Sequence, residues 1–189
     1  IIIESLQGAT HPLRGVVLRF TAISFFPTKS NLLVSFAQKN FKEMLYLLPK
    51  FHVLYPASIE EASGWLTSNI SIALFICKTD EMFNFFFNSV KDFADKDVAI
   101  NVVSSIEQNS DPEILVKHFE DFQVFINNID SVEKTSIIVE SIIRRCPKVS
   151  DAFDFVSKIN FKDDMAMLLT QLSIDQKDFE TLRKCAMTW

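Results

Sequence analysis

Residues 71–90 read "SIALFICKTDEMFNFFFNSV". Two dense apolar runs, Ser71–Cys77 and Met82–Val90, are separated by the polar quartet "KTDE" at Lys78–Glu81. Each run is well short of the ~20 apolar residues needed to span a bilayer, so neither is a membrane segment. Thr79 or Asp80 can open a helix over "DEMFNFFFNSVKDF", with the acids in the first turn where the helix dipole favours them. "IALFIC", "FNFFF" and, further on, "SIIVESII" leave little room for a solvent-facing side. In a small bundle only the central helix should look like that. In a stacked helical array many do, because each helix touches both its own partner and the neighbouring layers. The expected fold is therefore all-α, an α-solenoid of HEAT-like helical repeats with about nine helices, forming a single segment over residues 1–189. No residue-level internal repeat accompanies it, so the solenoid expectation rests on the apolar faces alone.

Helix punctuation extends the pattern in both directions. Pro12–Phe26 reads as a helix ended by Pro27. Ser30 can cap a second helix from Asn31 to about Leu48, with Pro49 after it. Ser58-Ile59-Glu60-Glu61 is a capping box whose helix runs to about Cys77. Asp95 opens "KDVAINVVSSIEQ". Asp111-Pro112-Glu113 combines a cap, an N1 proline and a first-turn acid, and its helix carries Leu115, Phe119, Phe122 and Ile126 on one stripe. Ser131 opens "VEKTSIIVESIIRR", which ends before Pro147, and shorter segments follow at about Asp151–Ile159, Asp163–Leu172 and Gln176–Met187. "FHVLYP", Phe51–Pro56, is the nearest approach to a strand pattern.

Composition narrows the function. The 189 residues are 48% hydrophobic, with 19 phenylalanines and a mean hydropathy of +0.17. Three glycines are too few for Gly-rich phosphate loops or tight hairpins. A net charge of −5 without a long basic run disfavours nucleic acid. Cys77, Cys146 and Cys185 are odd in number and far apart, which suits reduced, buried thiols rather than a zinc knuckle or disulfide framework. The absence of an initial methionine and of a signal peptide reads as a piece of a longer, cytoplasmic polypeptide. Asn69-Ile70-Ser71 matches a glycosylation sequon but falls inside an apolar helical pattern.

Catalytic chemistry finds no foothold. His118 and Asp121, three apart on one helix, lack the third ligand a metal needs and read as a flank pair. Cys77 ends an apolar helix. Cys146 follows two arginines yet sits at a helix C-terminus, where the dipole opposes a thiolate. Phe83, Phe85, Phe86 and Phe87 could form a lipid- or partner-facing patch, although core filling is the commoner use. The acidic residues from Asp151 to Asp178 read as a solvated face. The expectation is a non-enzymatic protein with no cofactor and no metal.

The stretch "GATHPLRGVVLRF", Gly8–Phe20, poses a local conflict. Pro12 suits the first helical position and His11 the cap. Arg14 then falls at the positive end of the dipole, at a cost of about 0.3–1 kcal/mol, and Gly15 costs roughly 1 kcal/mol against alanine. A close helix or partner contact there, with Arg14 and Arg19 ion-paired across it, would offset both. Glu4 of the preceding helix is the intramolecular candidate, and another subunit is the alternative.

"HPLRGVVLRF" resembles a "HPLRGLFLR"-like segment in the N-terminal half of the retromer large subunit, the vacuolar protein sorting-associated protein 35 family. The match covers His11, Pro12, Leu13, Arg14, Gly15, Leu18 and Arg19. Pro112–Cys146 is similar to that family's paired helices, in which an Asn/Asp turn with Val leads into an Ile-rich helix. Two departures stand out. "PTKSNLLVSF" is shorter than the family's polar insertion, and the "PRLYL"-type segment tied to binding the arrestin-like subunit is absent. The resemblance implies a scaffold of an endosomal cargo-sorting coat, in retrograde endosome-to-Golgi or recycling transport. It further implies a cytoplasmic protein, peripheral on endosomes, with only indirect membrane contact. Implied partners are the arrestin-like and phosphoesterase-fold coat subunits and a sorting nexin or small GTPase. His11, Pro12, Leu13, Arg14, Gly15 and Arg19 would be the partner-binding or structural motif. The alternatives are a generic helical-repeat adaptor, such as a retriever, vesicle-tethering or nuclear-transport scaffold, and an enzyme built from scattered residues.

Overall fold

The structure, a computed structural model, describes residues 31–189 together with Gly15 and Leu18. The chain divides into two compact units, Ile1–Asn109 and Ser110–Trp189. Among the described residues every regular element is helical. They form ten α-helices, where the sequence pattern suggests about nine for the whole chain.

The first unit contains α1 (Asn31–Leu54), α2 (Ile59–Ile76), α3 (Asp80–Val90) and α4 (Lys96–Asn109). α1 does not stop at Pro49: the proline lies inside it, and Phe51–Leu54, the strand-like stretch, is helical. A proline in a helix interior costs about 3 kcal/mol through a lost hydrogen bond and a ring clash. Burial on the far side offsets this cost. Phe41, Met44, Leu48 and Phe51 make one buried stripe at helical spacing straight through the proline. A 3₁₀ turn, Pro56–Ser58, then returns the chain so that α2 lies on α1. Thr79 caps α3, its hydroxyl accepting from Met82 N at 3.3 Å. Asp95 Oδ1 accepts from Asp97 N and Val98 N to start α4.

Helices two apart in the chain run parallel. Between α1 and α3, Gln38 meets Met82 and Phe41 packs edge-on against Phe86 with centroids 5.0 Å apart. Between α2 and α4, Asn101 Nδ2 donates to Ser63 Oγ, Ser105 Oγ to Thr67 O and Asn109 Nδ2 to Ser71 Oγ, each pair 38 residues apart. Small side chains at i, i+4 and i+8 on α2 thus face polar ones at the same steps on α4. This polar seam lies between otherwise apolar helices.

The second unit holds α5 (Pro112–Lys117), α6 (Phe119–Asn127), α7 (Val132–Arg145), α8 (Val149–Val156), α9 (Ala166–Asp175) and α10 (Phe179–Thr188). The expected 112–126 helix is divided at His118, whose φ of −105° and ψ of 21° leave the α region. His118 takes a buried place in the stripe with Leu115, Phe122 and Ile126, while Phe119 is only half-buried, against the Phe155 ring at 4.7 Å. α6 and α8 again run parallel: Gln123 Nε2 donates to Phe155 O and Asn127 Nδ2 to Lys158 O. α8 begins at Val149 rather than Asp151, and a 3₁₀ turn at Lys162–Met165 precedes α9.

The last boundary differs from expectation for a stated reason. Gln176 ends α9 rather than opening the final helix. Lys177 adopts φ 57°, Asp178 N donates to Ser173 O and Lys177 N to Ile174 O. That is the Schellman termination, in which glycine ordinarily takes the left-handed place. Asp178 then caps α10, accepting from Thr181 N at 3.0 Å and from Thr181 Oγ1 at 2.7 Å.

Candidate functional site

Of the N-terminal motif, His11, Pro12, Leu13, Arg14 and Arg19 lie outside the described residues, as do Glu4 and the helix expected over Pro12–Phe26. Gly15 is helical and buried, and Leu18 is helical and exposed.

His118 and Cys146, both weighed for catalysis, are buried. His118 Nδ1 lies 2.7 Å from Asp121 Oδ2, so the carboxylate orients a buried imidazole at the α5–α6 break. Among the described residues no group of three or more His, Cys, Asp or Glu side chains could hold a metal ion. Burial, with Asp151 adding to it, pushes the Cys146 thiol up to about 12. Burial likewise raises the Cys185 thiol. Neither is a thiolate near neutrality, which removes the activation a nucleophilic cysteine needs. Phe83, Phe86 and Phe87 are buried and Phe85 is half-buried, so the phenylalanine cluster is mainly core. Asn69 is fully buried, with Oδ1 accepting from Asn40 Nδ2 and Nδ2 donating to Trp65 O. The folded sequon cannot take a glycan. No helix among the described residues is long and apolar enough to cross a membrane.

Among the described residues, concave surface occurs elsewhere in the first unit. A pocket of about 400 Å³ opens where the end of α1 meets the turn after α3. Leu48, Pro49, His52 and Val53 line one side, and Asp92, Phe93, Ala94 and Asp95 the other. A second pocket of about 370 Å³ shares Phe93 and continues along Lys42, Leu45, Tyr46 and Ser89. Asp95 Oδ2 sits 3.5 Å from His52 Nδ1. The surrounding surface is unusually apolar for an exposed helix: Val53 is 81% exposed, Tyr46 67% and Leu54 54%. Lys42 and Lys50 lie over the Phe85 and Tyr46 rings, at 4.7 and 4.9 Å, close enough for cation–π attraction. Contiguous exposed apolar surface of this kind is a common mark of an interaction site. Sequence reading missed it, and the available signal was Pro49 on one face with Tyr46 and Val53, opposite the apolar stripe of Phe41, Met44, Leu48 and Phe51.

No protein-family model, no curated protein and no solved structure matches this chain.

Proposed function

We propose that the chain is a segment of an α-solenoid scaffold that binds other proteins. The observation that carries this reading is the polar seam: Ser63, Thr67 and Ser71 of α2 engage Asn101, Ser105 and Asn109 of α4, each pair 38 residues apart. Parallel contact between helices two apart is what stacked helical hairpins make, and 38 residues is a natural length for one hairpin with its turns. The α1–α3 and α6–α8 contacts follow the same plan within their units. A stack of this kind offers long faces to partners and needs no catalytic centre.

The "HPLRG" resemblance supports a retromer-like coat as the setting, with the arrestin-like and phosphoesterase-fold subunits as partners and endosomes as the place of work. The test is a pull-down with purified coat subunits, using the chain extended upstream by the missing "PRLYL"-type segment beside the same extended chain with Arg14→Ala and Arg19→Ala, both checked by circular dichroism. Capture by the parent and loss in the folded variant supports the coat reading and gives the arginines a partner role. Capture of neither subunit reduces the reading to a helical scaffold of another assembly.

A further inference from the structure

We draw no further inference here: the strongest candidate, the apolar groove between the end of α1 and the turn after α3, has Lys42 in one of its two pockets and Asp92 and Asp95 in the other, so its charges favour no single occupant and nothing in the structure shows what covers it.

Discussion

Asn40 Nδ2 on α1 donates to Asn69 Oδ1 on α2 at 2.8 Å, and both amides are buried between the two helices. A polar bond in this position sets the register of one helix on the other, because any slip moves an amide against a side chain that cannot pair with it. Asn69→Ala removes the acceptor of Asn40 Nδ2 and opens a small cavity. The expected cost is about 1–3 kcal/mol, read as a lower urea midpoint with unchanged slope.

Pro49 interrupts a helix that tertiary burial holds together. Pro49→Ala recovers the lost bond and relieves the ring clash, together about 3 kcal/mol. It also loosens the unfolded chain, at a cost of about 0.4–1 kcal/mol. The net expectation is a gain of roughly 2 kcal/mol in denaturant unfolding. A neutral or destabilising result would mean that the stripe through Phe51 depends on the bend the proline makes.

Lys177 occupies the left-handed position at the end of α9 with φ 57°. A side chain there carries strain that glycine avoids. Lys177→Gly is expected to stabilise by about 0.5 kcal/mol, the relief of strain exceeding the added freedom of the unfolded chain. Lys177→Val is expected to destabilise, and thermal melts of the two variants should bracket the parent.

Asp178 has its carboxyl held below the usual range, first by the Thr181 N–H and then by the Thr181 hydroxyl. The unfolded chain therefore binds this proton more readily than the folded one. The stabilisation is complete above the ordinary aspartate value of 3.8 and is lost as pH falls through the lower folded value. Urea unfolding of the parent should weaken across that acidic window. Asp178→Asn, which can still accept from Thr181 N, should flatten this part of the dependence.

The three thiols should react in order of access. Cys77 is half-exposed, whereas Cys146 and Cys185 are buried, and Cys146 is raised to about 12. Iodoacetamide at pH 8 is expected to label Cys77 in the native chain and Cys146 only after denaturation. Native labelling of Cys146 at a comparable rate would show that the α7–α8 turn opens readily.

Much of this architecture was legible before any coordinates. Thr79 and Asp95 start helices where their chemistry says they should, because capping is decided by a side chain and the N–H groups two or three residues on, and Asp111-Pro112 starts one through the proline at its first position, without a side-chain cap bond. The run Met82–Val90 likewise foretold a largely buried helix, whereas in Ser71–Cys77 Ala73 and Leu74 are buried but Phe75 is 69% exposed, so that helix keeps an open side where the apolar pattern suggested none. The pocket was not legible. Its walls come from residues more than forty positions apart, Leu48 and Phe93 among them, and they include a proline that local rules place outside a helix. Proline and lysine each defied their local preference at positions 49 and 177, and at 49 burial of the opposite stripe outweighed a cost of about 3 kcal/mol. Local chemistry alone determined where most helices begin and that they are buried. Only packing decided where α1 ends, how helices two apart find their register through the seam from Ser63 to Asn109, and where the surface is left concave. Those outcomes depend on which distant faces meet, and a local pattern carries no record of that.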